Sequence, residues 1–130
     1  GLQRLVAELN RLYLANPAMW QLDHEHGGFT WIDGGAASSN VLTYLRWDEA
    51  GEPIAVAINF AGHPHYEWQL GLPRSGDWVE ILNTDAEIFG GSGVGNMGKV
   101  LANGDGTHGQ PHSAKVNIPP LGAVWFKPAK

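Results

Sequence analysis

The sequence predicts an all-β fold, an antiparallel β-sandwich preceded by one N-terminal amphipathic helix. Three features predict it. Beyond residue 22, short runs rich in β-branched and aromatic residues alternate with clusters of Gly, Pro, Asn and Asp, the punctuation of strands joined by turns. Within several runs the side chains alternate with a period of two, which suits strands with distinct faces. The one segment with helical spacing stands apart at the N-terminus.

Taking the elements in order, Leu2, Leu5, Leu9 and Leu12 recur at spacings of three and four, with Val6 and Tyr13 beside them, so one apolar stripe runs down a helix. Pro17 disfavours helical geometry at Asn16 and stops it there, and a short turn through 18–22 follows. Strands are then predicted over 29–32, 41–46, 54–60, 66–70, 78–83, 115–118 and 123–127, seven or eight in all. In the third run Ile54, Val56, Ile58 and Phe60 are large while Ala55 and Ala57 are small, so one face packs deep and the other close. Val116 and Ile118 alternate with Lys115 and Asn117, which gives a strand with one wet face and favours antiparallel pairing. The stretch 90–109 is dominated by Gly, Asn, Asp and Ser, with Asn103-Gly104 and Asp105-Gly106 as turn dipeptides, and reads as one long shaped loop.

The composition narrows the function classes. At 130 residues with 43% hydrophobic and 16% charged side chains, the chain suits one soluble globular core. A formal charge of −5 without a basic run argues against nucleic acid as a partner. The apolar runs are too short to span a bilayer, so no membrane association is expected. With no cysteine there is neither a disulfide framework nor a thiolate nucleophile, and a reducing compartment is compatible. A chain that opens on Gly1 reads as a piece of a longer protein.

Several residue patterns invite chemistry. His24 and His26, and His63 and His65 with Glu67 following, have the His-x-His spacing that puts two imidazoles on one strand face. Neither pair has a second ligand set at a recognisable spacing, so solvated loop histidines, and no metal, are expected. Gly93, Gly95 and Gly98 satisfy the dinucleotide glycine pattern, but turn residues follow instead of a helix and no acidic residue occurs after Asp105, so no cofactor is expected. Asp77, Glu80, Asp85 and Glu87 cluster in sequence without any two standing out as a facing catalytic pair. Ser38, Ser39, Ser75, Ser92 and Ser113 lack a nucleophile elbow and read as loop serines. Of the thirteen aromatics, Trp31, Trp68, Trp78 and Trp125 lie inside strand patterns and are expected in the core. Trp47 ends its strand beside Asp48 and Glu49, which makes it the candidate exposed platform for a sugar ring.

A resemblance adds to this reading. The run from Leu82 through Asn83, Thr84, Asp85, Ala86 and Glu87 into Phe89, and on through Gly93, Val94, Gly95 and Asn96, resembles the C-terminal all-β domain of bacterial glycogen branching enzymes, of the α-amylase superfamily. Leu9 to Tyr13 with Pro17 and Ala18 is similar to that family's last barrel helix and its exit. Asn59-Phe60, His108 to Pro111 and Pro119 to Trp125 continue the likeness to the end of the chain. The resemblance implies that residues 1–22 are the last helix of a (β/α)8 barrel and its exit turn, and that 23–130 form the C-terminal sandwich. It implies a cytoplasmic parent that moves α-1,4-glucan segments to 6-hydroxyls in glycogen, through an Asp nucleophile and a Glu acid/base on barrel strands. None of those catalytic residues maps onto this sequence. The implied partners are the barrel and, weakly, α-glucan, with Trp47 as the contact. The competing readings are a free-standing carbohydrate-binding module, against which the leucine-striped helix argues, and a double-stranded β-helix metalloenzyme using His63 and His65.

Overall fold

The computed structural model describes residues 2–16, 18, 29–36, 40–85, 93–96 and 98–129. Helix α1 (Leu2–Ala15) is followed by strands β1 (Phe29–Ala36), β2 (Val41–Trp47), β3 (Pro53–Asn59), β4 (His65–Leu72), β5 (Gly76–Asn83), β6 (Lys99–Ala102), β7 (Gly104–Thr107), β8 (Gln110–Ile118) and β9 (Gly122–Pro128). The strands form a six-stranded sheet in the order β1-β2-β3-β9-β5-β6 and a three-stranded sheet in the order β4-β8-β7, paired antiparallel throughout. The predicted sandwich is present.

The core lies between the sheets. Leu45, Ala55, Ala57, Trp78, Val124 and Phe126 of the wide sheet meet Leu70, Leu72, Ala114, Val116 and Ile118 of the narrow one, all essentially sealed from water. The small face of β3 is the one turned inward. Ala55 stands opposite Phe126 and Ala57 opposite Val124, so the two alanines on β3 leave room beside the bulky residues of β9. Helix α1 ends as predicted: the Asn16 backbone N–H and side-chain Nδ2 both donate to the Leu12 carbonyl, at 3.0 and 2.8 Å, satisfying one of the acceptors in the last turn.

The loop expected over 90–109 is corrected in its second half, where β6 and β7 lie. Val100 and Ala102 point into the core while Lys99 and Leu101 face out, an alternation too short to stand clear of the surrounding glycines. In β7, Gly104 and Gly106 are strand residues because β8 comes so close. An added Cβ would lie 2.5 Å from Ser113 Oγ at the first and 2.5 Å from the Gln110 carbonyl at the second. The turn is instead at His108-Gly109, both at positive φ (53° and 78°), joining Thr107 to its partner Gln110 in the geometry that matches strand twist.

The first half of the same stretch ties the two sheets together. Asn83 Nδ2 on β5 donates to the Val94 carbonyl (2.8 Å), and the Asp85 carboxylate accepts the Val94 N–H (3.0 Å). Asn96 then reaches both sheets: its Nδ2 donates to Glu80 of β5 (2.8 Å) and to the Asn117 carbonyl of β8 (2.9 Å). Its Oδ1 accepts the Asn117 N–H at 2.7 Å, so one side-chain amide pairs with the β8 backbone as a neighbouring strand would.

Candidate functional site

The outer face of the six-stranded sheet is a second apolar layer. Ile54 and Val56 of β3 are buried there under Ala18, ringed by half-buried Tyr44, Ile58, Ile81 and Trp125. Helix α1 lies against β5, with Leu12 buried and Val6 and Leu14 left 50% and 73% exposed. Beyond Ile58 the cover ends. Phe60 is 62% and Leu121 73% exposed, and a hollow of about 310 Å³ opens between Ile58, Phe60, Leu121 and Ala123.

These two exposed side chains stand on a fixed base. Asn59, 1% exposed, donates through Nδ2 to the carbonyls of His63 (2.8 Å) and Pro119 (3.1 Å), and its Oδ1 accepts the Ala61 N–H (2.8 Å). The Leu121 N–H closes the bracket on the Ala61 carbonyl (3.0 Å). Leu121 itself adopts φ +46°, a left-handed conformation that costs a non-glycine residue about 1 kcal/mol or more and that the bracket enforces. Tyr44, in the half-buried part of the face, has its phenol pKa raised by burial, with the positive charge of Arg46 acting in the opposite direction. The arrangement offers apolar contact on a rigid frame and no reactive group.

Residues 31–129 match the family described as alpha amylase, C-terminal all-beta domain. The chain belongs to that family. It is also 54% identical, over 98% of its length, to the 1,4-alpha-glucan branching enzyme GlgB of Leifsonia xyli subsp. xyli. Against the proteins of the same name from Mycobacterium tuberculosis and Thermobifida fusca, the identities are 47% over 99% and 52% over 97% of the chain. It spans only 17% to 18% of the length of these curated relatives. The resemblance read from the sequence is therefore correct.

Within this all-β domain the sequence candidates fall in separate places. Trp47 is less exposed than its strand-end position led us to expect: its ring packs against the core and its Nε1–H donates to Thr30 Oγ1 at 3.1 Å. Trp78 is fully buried, Trp68 partly so against the core, and Trp125 half-buried on the opposite, outer layer. The Trp31 side chain lies outside the described residues. His63 and His65 do come together, ring centroids 5.1 Å apart with Trp68 edge-on to His65 at 5.2 Å. Among the described residues no group of three His, Cys, Asp or Glu is placed to hold a metal. His24 and His26 lie outside them.

Gly93 and Gly98 sit at positive φ in the loop that runs into β6, and no described helix follows them. Gly95 packs so closely on Asn83 that a Cβ there would collide with its amide. Of the acidic set, Asp77 is on β5 near Lys99 (3.7 Å), Glu80 and Asp85 belong to a second, polar bracket, the hydrogen bonds around Asn83 and Asn96 that join the two sheets, and Glu87 lies outside the described residues. Ser113 corrects its loop assignment: it is a buried residue of β8 whose hydroxyl donates to the Asp105 carbonyl at 2.6 Å. Ser75 is an exposed loop residue, and Ser38, Ser39 and Ser92 lie outside the described residues. Sequence reasoning missed the pairing of Phe60 with Leu121. The signal available was the large-residue alternation of β3, which runs one position past the point where the structure covers it. No described helix is long and apolar enough to cross a membrane.

Proposed function

We propose that this chain is the C-terminal all-β domain of a cytoplasmic 1,4-α-glucan branching enzyme, and that it supports the catalytic barrel without taking part in the reaction. The observation that carries the reading is identity near 50% along almost the whole chain to branching enzymes several times its length. Residues 1–22 form the last barrel helix and its exit turn, and 23–130 form the sandwich. The partner is the barrel, and the uncovered end of the outer face, Phe60 and Leu121, meets it; a fixed apolar surface left in water is a surface built to be covered.

The parent transfers α-1,4-glucan segments to 6-hydroxyls in glycogen, with the nucleophile and the acid/base supplied by barrel strands. This domain supplies no catalytic, cofactor or metal ligand. Its own contact with glucan is weak, and Trp47 is the ring assigned to it. The test is the full-length parent carrying Phe60→Asp with Leu121→Asp. Thermal melting should drop while turnover per active site of the folded fraction stays within about twofold of the unmodified enzyme. Unchanged melting with turnover down about tenfold or more would mean that the domain touches substrate, and the supporting role would be wrong. Branching of amylose by this chain alone would equally overturn the non-catalytic assignment.

A further inference from the structure

A groove of about 650 Å³ runs beside the narrow sheet, between β4 and β8 on one side and the β6–β7 corner on the other. Its lining collects Glu67, Gln69, Asn103, Ser113 and Lys115 around exposed Leu101, and its size is that of a small-ligand site. The backbone adds to it. Asn117 gives its N–H and carbonyl to Asn96, so alternation along β8 aims the Lys115 N–H and carbonyl at the same edge. β7 pairing stops at Gly104 opposite Ser113, and no described strand pairs with Lys115 on that side. One peptide edge is thus left between two occupied positions, at the groove.

The rim is held in a costly shape. Glu67 adopts φ +54° at the irregularity between His65 and Trp68, and its N–H donates to Asn117 Oδ1 (3.1 Å). Asn117 is fixed in turn by Gly95, whose carbonyl accepts its Nδ2 (3.1 Å), and by Asn96. The strain and the clamp lie in the Glu67 backbone, and that fixed backbone carries the carboxylate at the lip of the groove. The ion pairs found among the described residues include neither Glu67 nor Lys115, and Gln69 uses only its Nε2, toward Ser113 Oγ (3.2 Å).

From this convergence we infer that the groove is a binding site for a neutral polyhydroxylated chain, an α-1,4-glucan segment. One carboxylate and one ammonium leave no net charge to attract an ion. Carboxylate and carboxamide oxygens accept from hydroxyls, the ammonium and the Lys115 peptide donate to them, and Leu101 meets the C–H face of a sugar. The identity of the sugar rests on the branching-enzyme reading; the position of the site does not.

The experiment is an amide-resolved NMR titration of this chain with maltoheptaose, with sorbitol alongside. Maltoheptaose should shift the amides of Glu67, Gln69, Asn103 and Lys115 with a Kd in the millimolar range, on the order of 1 to 10 mM. Gln69→Ala with Lys115→Ala should weaken binding about fivefold or more, and Leu14→Ala, at an exposed position of α1 outside the groove lining, should leave it unchanged. Both replaced side chains are exposed, so the fold survives their loss. Shifts confined to the surroundings of Trp47 and lost in Trp47→Ala, equal shifts with sorbitol, or none up to tens of millimolar would each overturn the site. The melting test on the parent is independent of all these outcomes.

Discussion

Two regions join the same pair of sheets by opposite physics. Between the sheets, Trp78, Phe126, Leu70, Leu72, Val116 and Ile118 hold them together by burial, a force with no direction that asks only for matched volume. At one end, Glu80, Asn83, Asp85, Asn96 and Asn117 hold them through hydrogen bonds, each needing one atom in one place. The first region gives most of the stability and tolerates exchange of similar side chains. The second gives less but fixes the loop 93–96 in a single path, and through Asn117 it sets the rim of the groove.

The largest effect should come from breaking the apolar region. Phe126 is fully buried opposite Ala55 and Glu80, with only alanine's volume on the β3 side to give way. Phe126→Ala should therefore cost about 3 to 5 kcal/mol, read as a fall in the urea midpoint of this chain. Phe126→Leu should recover more than half of that loss. If the two variants were equally damaging, the interior would depend on ring shape as strictly as the bracket depends on its atoms, and the contrast would fail.

The next effect tests the bracket. Asn96→Ala removes both bonds to the Asn117 backbone and the side-chain bond to Glu80, leaving only the backbone N–H on Glu80, and should cost about 1 to 3 kcal/mol. Hydrogen exchange at Asn117 should rise with it, while that of Val116, on the β4 side, holds. Equal acceleration at both positions would show that the bracket and the interior open as one unit.

The two regions also differed in how far the sequence disclosed them. The interior was legible, because alternation at 54–58 and 115–118 is a repeated signal that survives an error at any one position. The inward turn of Ala55 and Ala57, and the second layer outside Ile54 and Val56, were legible only as two faces of different depth. The bracket was not legible as structure: Asn83, Asp85, Gly95 and Asn96 have loop composition, and their contacts join positions up to 22 residues apart that no local pattern connects. Those same residues carried the family resemblance, which marked them without explaining them. β7 was hidden for a related reason, since its strand exists through close approach to Ser113 and Gln110 and not through its own side chains.

A smaller effect, opposite in sign, sharpens the apolar side. Thr43 is 1% exposed between Val41 and Leu45, and its Oγ1 finds no partner among the described residues. Thr43→Val keeps the shape and removes a desolvated hydroxyl, so stability should rise by about 1 kcal/mol, raising the melting temperature by several degrees. A loss instead would reveal a partner for that hydroxyl, and a polar element inside the region described as directionless.

The smallest effect belongs to Glu80, where the two regions meet. Burial raises its pKa above the ordinary 4.5, against the two hydrogen bonds from Asn96 that favour the carboxylate. A raised folded-state pKa means that the folded chain holds this proton more tightly than the unfolded chain. Its contribution to stability is full below the unfolded value and is lost as pH rises through the higher folded value. Glu80→Gln keeps an oxygen to accept from Asn96 and has nothing to titrate. Comparing melting temperatures from about pH 4 to 7, the difference between variant and unmodified chain should move steadily in favour of Glu80→Gln as pH increases. If it moved the other way, the bonds from Asn96 would outweigh burial at this carboxylate, and the polar bracket, not the apolar interior beside it, would set its protonation.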